Sequence, residues 1–287
     1  MSDSVQNTGR STRSLLRRML PRPLVRLGKR IVDAEYRRDY ARCREIERLE
    51  SLPRYTPCMT SLLGAPFEAA DPAVFIGMYR EIFLQRIYEF RAMRRDPLIV
   101  DGGANVGLAI AFWQRLFPEC RVLAFEPDPT IYSVLKRNVE RSEFANVTLE
   151  EKALWSSSTS LEFLSEGSNA SRLAQSDDRA TTRVQTVRLR DYLNQEIDFL
   201  KLDVEGAETE ILKDCADRLE RVRNLFVEYH SFESQPQVLH SLLTILANAG
   251  FRIHVHPIFT SSQPFIERPT SLGMDMQLNI FAFRTSS

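Results

Sequence analysis

The chain has 287 residues, of which 43% are hydrophobic and 26% are charged, and its formal net charge is zero. This composition is typical of a globular protein and excludes a disordered or collagen-like chain. A zero net charge gives no sign of a polyanionic partner, so no nucleic-acid partner is expected. The four cysteines are Cys43, Cys58, Cys120 and Cys215. They lie too far apart in sequence for a zinc knuckle or a redox pair.

The amino-terminal segment is strongly basic, because residues 1–30 contain eight Arg or Lys side chains against Asp3 alone. One interpretation is a solvated extension, with residues 1–14 disordered. The other is peripheral contact of residues 10–30 with the inner face of a membrane. The sequence shows neither a signal peptide nor a run of about 18 apolar residues, which predicts a cytoplasmic protein.

From residue 97 onward the pattern alternates between strands and helices. The predicted strands cover 98–101, 121–126, 147–154, 160–164, 183–189, 197–204, 224–230, 251–256 and 277–284. The predicted helices cover 31–50, 71–95 (one or two helices), 106–117, 129–142, 206–220 and 236–249, with loops at 52–70 and 165–182. Such alternation predicts an α/β fold, doubly wound around a mostly parallel sheet, with one of the last two strands antiparallel. We divide the chain into a basic extension (1–48), a helical cap (49–96) and a catalytic domain (97–287).

The stretch IVDGGANVG, residues 99–107, predicts a strand that enters a tight ligand-binding turn. Its glycines do not have the G-x-G-x-x-G spacing of a pyrophosphate site, and no G-K-[ST] of a phosphate loop follows. A carboxylate at Asp101 favours a cationic ligand such as S-adenosylmethionine, whereas Gly103 and Gly107 allow close approach of the backbone. Glu126, at the end of the next strand, is placed to accept both hydroxyls of a ribose.

Three motifs in this order, DGGANVG, FEPDP and KLDVEGAE, resemble the FkbM-type family of S-adenosylmethionine-dependent methyltransferases. The resemblance covers roughly residues 79–256. It implies a seven-stranded sheet with an antiparallel final strand, and O-methylation of a hydroxyl on a sugar or natural product. The resemblance also implies which residues bind the cofactor. The methionine end is bound by Asp101, Gly103, Asn105 and Gly107. Glu126 binds the ribose, and the strand end near Ala153 lies by the adenine.

The sequence departs from the family pattern at two places. Gly102 stands where a small branched residue is expected, and we expect this only to loosen the packing. The basic amino-terminal extension lies outside the pattern.

Chemistry is predicted at the ends of two later strands. Asp203, which is also assigned to the cofactor, and Glu205 follow one strand, and Glu228 and His230 share a face of the next. We predict that His230 accepts the proton of the methyl acceptor, while Glu228 orients it or contacts the substrate. The alternative is a histidine that only forms hydrogen bonds at a strand end. We predict that a carboxylate of Asp203 or Glu205 near the sulfonium either orients the hydroxyl or binds a divalent ion.

Two further residues of KLDVEGAE have structural interpretations. An ion pair is one interpretation of Lys201, and interaction with a helix dipole is one of Glu208. No metal is assigned, although His254 and His256 on one strand face offer an alternative ligand set with Asp203 and His230.

Two alternatives to an O-methyltransferase with a small-molecule or glycan acceptor remain open. The first is a nicotinamide-dependent oxidoreductase, although the sequence lacks the glycine spacing of a dinucleotide site. A non-catalytic protein that keeps the cofactor pocket as a scaffold is the second alternative.

Overall fold

The computed structural model describes residues 22–164, 172–173 and 181–285. The predicted disorder of residues 1–14 lies outside the described residues, as do the side chains of residues 10–30. The contacts divide the chain into two compact units, Met1–Ser51 and Leu52–Ser287. The described part of the first unit is helix α1, Arg22–Glu50, which continues across the predicted boundary at residue 48.

The second unit contains the remaining elements. Its strands are β1 Cys58–Thr60, β2 Phe67–Ala69, β3 Leu98–Gly102, β4 Arg121–Phe125, β5 Val147–Glu150, β6 Ala153–Trp155, β7 Ser160–Leu164, β8 Arg172–Leu173, β9 Thr181–Arg188, β10 Ile197–Leu202, β11 Val222–Phe232, β12 Arg252–Phe259 and β13 Met274–Phe283. Its α-helices are α2 Pro72–Tyr79, α3 Leu108–Leu116, α4 Pro129–Arg141, α5 Glu208–Asp214 and α6 Leu239–Asn248. Short 3₁₀ turns cover Leu189–Tyr192 and Leu219–Arg221, and a π-helical turn covers Arg80–Leu84.

The main sheet has seven strands in the order β12-β13-β11-β10-β3-β4-β5. Strands β3, β4, β5, β10 and β11 are parallel to their neighbours in this group, whereas β13 is antiparallel to both β11 and β12. The predicted α/β class, with a mostly parallel seven-stranded sheet and an antiparallel final strand, is therefore confirmed. All residues of β3 and β10 are buried, as expected for the centre of a parallel sheet.

Aspartate–proline pairs set the beginnings of two helices. Asp71 accepts hydrogen bonds from the N–H groups of Ala73 and Val74, and Pro72 occupies the first turn of α2. Asp128 caps α4 in the same way, ahead of Pro129. A side-chain oxygen at this position satisfies N–H groups that have no partner within the helix, and proline there loses no hydrogen bond.

The structure corrects several of the predicted elements. The loop at 52–70 contains the antiparallel pair β1 and β2, and the helix predicted at 71–95 ends with the π-helical turn. The single strand predicted at 147–154 is two strands in different sheets, because the chain leaves the main sheet at the charged residues Glu151 and Lys152. The helix predicted at 206–220 ends at Asp214.

A second sheet packs four strands in the order β6-β9-β7-β8. Its two-residue strand β8, Arg172–Leu173, pairs with β7 and lies within the segment predicted as a loop at 165–182. Most of that segment lies outside the described residues. Among the helices that the structure does describe, none is both long enough and apolar enough to cross a membrane.

Candidate active site

A cavity of about 270 Å³ opens at the carboxyl ends of the central strands. Strand order reverses at β3, since β4 lies on one side of it and β10 on the other, and open α/β sheets bind ligands at such a point. Eight of the predicted site residues line this cavity: Gly103, Asn105, Glu126, Ala153, Asp203, Glu205, Glu228 and His230. Asp101 and Gly107 do not line it.

The first loop, residues 103–107 after β3, packs its backbone against the backbone that follows β10. Gly103 has φ of +80°, and a Cβ atom there would lie 1.9 Å from the carbonyl oxygen of Asp203. Gly107 has φ of +90° and begins α3, where a Cβ would lie 2.8 Å from Leu135 Cδ1. The glycines thus allow two strand ends and a helix to meet closely, and the Asp203 carbonyl oxygen occupies the space that a side chain at residue 103 would need.

Gly102 also has a packing role, which corrects the expectation that it only loosens the fold. A Cβ at this position would lie 2.7 Å from Leu154 Cδ1 and 3.2 Å from the Lys201 carbonyl oxygen. The neighbouring side chains therefore occupy the volume that a branched residue would need.

Glu126 is held in place by backbone amides. Its Oε2 accepts from Asn105 N–H at 2.9 Å and its Oε1 from Asp128 N–H at 3.0 Å. Burial raises the pKa of Glu126 to about 7, although these two hydrogen bonds favour the carboxylate. The side chain is therefore oriented toward the cavity before any ligand arrives.

Lys201 connects the first loop to the end of β10. Its Nζ lies 3.3 Å from Asp101 Oδ1 and 3.3 Å from Asp203 Oδ2, and it donates to the Gly103 carbonyl oxygen at 2.7 Å. Burial opposes the charge on Lys201, but Asp203, Asp101 and Glu228 outweigh burial and raise its pKa. Burial likewise raises the pKa of Asp101. The predicted ion pair of Lys201 is present, and Asp101 is enclosed with it.

His230 lies among three glutamates. Its Nδ1 is 3.0 Å from Glu208 Oε1, and its Nε2 is 3.5 Å from both Glu205 Oε2 and Glu228 Oε1. Burial disfavours the imidazolium, but the carboxylates of Glu205, Glu208 and Glu228 outweigh burial and raise the pKa of His230 well above its usual value. Burial raises the pKa of Glu205 to about 8. The raised pKa values favour the protonated forms of Glu205 and His230 beside the cavity at neutral pH.

Sequence reasoning missed three polar side chains. Glu208 contacts His230 directly. Gln277, on β13, donates to Glu228 Oε1 and lines the cavity, and Glu81, on the π-helical turn, lines it too. Burial raises the pKa of Glu81 to about 7, and the negative charges of Glu228 and Asp203 add to this effect. The π-helical turn has no clear sequence pattern, although such turns are frequent at functional sites.

The histidines of β12 lie elsewhere. His254 and His256 contact the rings of Phe283 and Phe281, and neither lines the cavity. Ligand atoms of Asp203, Glu228 and His230 lie within 4.8 Å of one another, a spacing that suits a cation. The ammonium of Lys201 already balances charge at Asp203, and we assign no metal ion here.

The comparisons with known proteins agree with this geometry. The family model described as "Methyltransferase FkbM domain" matches residues 101–253. The chain belongs to the FkbM methyltransferase family. It is therefore a methyltransferase by family, and the resemblance seen in its motifs is confirmed.

Two curated relatives of this family member are informative. Methyltransferase sdnD of Sordaria araneosa is 32% identical over an alignment of 215 positions, and the match covers 61% of this chain and 82% of the relative. The 31-O-demethyl-FK506 methyltransferase FkbM of Streptomyces tacrolimicus is 25% identical over an alignment of 226 positions, and the match covers 65% of this chain and 86% of the relative.

A solved structure of methyltransferase FkbM from Methylobacillus flagellatus KT is also similar. It has a TM-score of 0.46 and 15% sequence identity, and the match covers 68% of this chain. The chain spans 45% of the length of that larger protein.

Proposed function

We propose that the enzyme transfers a methyl group from S-adenosylmethionine to a hydroxyl group of a small molecule or glycan. The observation that carries the proposal is that one cavity is lined both by the residues predicted to bind a nucleoside and by those predicted to accept a proton. Gly103, Asn105 and Glu126 form the first, and Asp203, Glu228 and His230 form the second.

The cavity suits this cofactor in three respects. The Glu126 carboxylate is oriented to accept two hydroxyl hydrogens. Apolar side chains of Phe125, Ile131 and Leu154 line the cavity near Ala153, where a flat base needs apolar contact. Carboxylates at Asp203, Glu205 and Glu228 complement an ammonium and a sulfonium.

When bound, the cofactor supplies a methyl group attached to a positively charged sulfur. The protein must align the acceptor oxygen with that methyl group and take up the hydroxyl proton. His230 Nε2 accepts this proton, and Gln277 and Glu228 fix the position of the acceptor from β13 and β11. Neutral imidazole is required, so the rate rises with pH through the pKa of His230.

A hydroxyl acceptor is supported by one relative, whose name describes a methyltransferase for 31-O-demethyl-FK506.

The same proposal includes a cytoplasmic location with peripheral membrane contact through residues 10–30. The eight basic residues in 1–30 are the observation that supports it.

Calorimetry with S-adenosylhomocysteine and with NAD tests the cofactor. We expect binding of the homocysteine product and none of NAD, and the reverse result would exclude the proposal in favour of an oxidoreductase. Labelled methyl transfer to a panel of glycans and hydroxylated metabolites tests the reaction. Cofactor binding without transfer to any hydroxyl, but with transfer to amines, would overturn the choice of acceptor atom.

A further inference from the structure

Glu208 is the first residue of α5 and follows the turn at the end of β10. It is buried, with 1% of its side chain exposed, and it does not line the cavity. A carboxylate with only a helix-dipole role has no need of burial. The burial of this carboxylate therefore indicates that it has a specific hydrogen-bonding partner.

Three nitrogen atoms converge on one oxygen of this side chain. Glu208 Oε1 accepts from Gly206 N–H at 3.0 Å and from Val204 N–H at 3.3 Å, and it lies 3.0 Å from His230 Nδ1. An oxygen that receives two backbone donors is an acceptor toward the imidazole as well. The hydrogen in this contact therefore belongs to Nδ1 of His230.

The other ring nitrogen faces the cavity. Around His230 Nε2 lie Glu205 from the turn after β10, Glu228 from β11 and Gln277 from β13, each at 3.5 Å. Asp203 completes the charged groups on this side. These separations are longer than a good hydrogen bond, and His230 is among the residues that line the cavity although only 1% of its side chain is exposed.

We propose that Glu208 is the positioning residue for His230: it holds the Nδ1–H tautomer, so that the Nε2 lone pair takes the proton of the acceptor hydroxyl. This rests on the proposed methyl transfer to oxygen. The oxygen–carbon bond forms as the carbon–sulfur bond breaks, the electron pair leaves with sulfur, and the hydroxyl proton moves to Nε2. Glu208 itself exchanges no proton.

The tautomer is tested first, without a variant, by ¹⁵N NMR of the histidine rings in the full chain. The four histidines of the sequence give few signals, and exposed His240 serves as the internal reference. Above its pKa, His230 is expected as the Nδ1–H tautomer, which is the minor form of free histidine. An Nε2–H ring at high pH would overturn the proposal.

The positioning role is tested with E208Q and the matched control E210Q. Both residues lie in the first turn of α5, so a dipole role predicts equal effects, but Glu210 is exposed. In E208Q we expect kcat to fall by about tenfold to a hundredfold with little change in KM. The titration of His230 and the acid limb of the kcat profile should move to lower pH, because one carboxylate charge is lost. E210Q should change neither.

The two proposals fail in different ways. If the NMR tautomer is as expected but no hydroxyl is methylated, the proposed function fails and the positioning by Glu208 stands. If hydroxyls are methylated and E208Q leaves both the titration and kcat unchanged, the positioning role fails alone. Unchanged binding of S-adenosylhomocysteine to E208Q confirms that the variant is folded.

Discussion

Lys201 and Asp101 form an ion pair at 3.3 Å, with 3% and 0% of their side chains exposed. Apart from Lys201, no hydrogen-bond donor among the described residues reaches the Asp101 carboxylate. The pair joins adjacent positions near the carboxyl ends of β10 and β3, and Lys201 also holds the first loop through the Gly103 carbonyl oxygen. The acid that suggested a cationic ligand thus already has a cation within the protein.

Replacing Lys201 should therefore destabilise the fold. K201M leaves Asp101 as a buried carboxyl without a counter-charge, and we expect its free energy of unfolding to fall by about 3–5 kcal/mol. Urea unfolding followed by circular dichroism measures the change. The control K213M removes an exposed partner of Glu210 and should cost less than about 1 kcal/mol. Equal losses in the two variants would contradict the role assigned to the pair.

The contact between Gly103 and Asp203 predicts that G103A is not tolerated. Gly64 also has φ of +80°, but no atom lies within 4 Å of the position that its Cβ would take, so G64A isolates the backbone strain. We expect G64A to cost about 1 kcal/mol and G103A more than about 3 kcal/mol. Thermal unfolding compares them, and similar melting temperatures would show that the first loop can move away from β10.

The position and the raised pKa of Glu126 lead to a prediction for both the strength and the pH dependence of cofactor binding. Hydroxyl hydrogens are best accepted by the ionised carboxylate, so affinity for S-adenosylhomocysteine should rise as pH increases through the pKa of about 7. E126Q should weaken binding about 10- to 100-fold and abolish this rise. Calorimetry about one pH unit below and above that pKa tests both effects, with the exposed E140Q as control. A pH-dependent affinity in E126Q would assign the titration to another group.

The charge of the cofactor predicts release of protons on binding. A sulfonium placed near Glu205 and His230 stabilises the carboxylate and disfavours the imidazolium, so both pKa values fall. S-adenosylmethionine should then release more protons than S-adenosylhomocysteine, whose sulfur is neutral. Calorimetry in buffers of different ionisation enthalpy gives the difference, and H230N should reduce it. Equal proton release by the two ligands would place the sulfur away from this group.

The basic extension predicts binding to anionic lipid. Deletion of residues 1–30 removes eight basic side chains and should abolish co-sedimentation with phosphatidylserine vesicles. Neutral phosphatidylcholine vesicles are the control, and added salt should weaken the binding of the full chain. Undiminished binding after the deletion would exclude this segment as the membrane contact.

Strand ends were predictable from the sequence because parallel strands bring their carboxyl ends to one edge. Glu126, Asp203 and Glu228 each follow or end an apolar run, and the fold gathers them at the cavity. Partners across the fold were not predictable. Glu208 and His230 are 22 residues apart, and their contact depends on how α5 lies against β11. Nothing in the apolar pattern of residues 71–95 indicated that its π-helical turn would direct Glu81 into the cavity.

Strand β13 has a consequence for the order in which the protein is synthesised. It lies between β11 and β12, and it carries Met274 and Gln277 into the cavity, yet it is translated after both neighbouring strands. Until β13 emerges from the ribosome, the long strand β11 is an unpaired edge that can associate with other chains. Defects in Met274–Phe283 should therefore reduce the yield of soluble protein during expression, before any effect on catalysis can be measured.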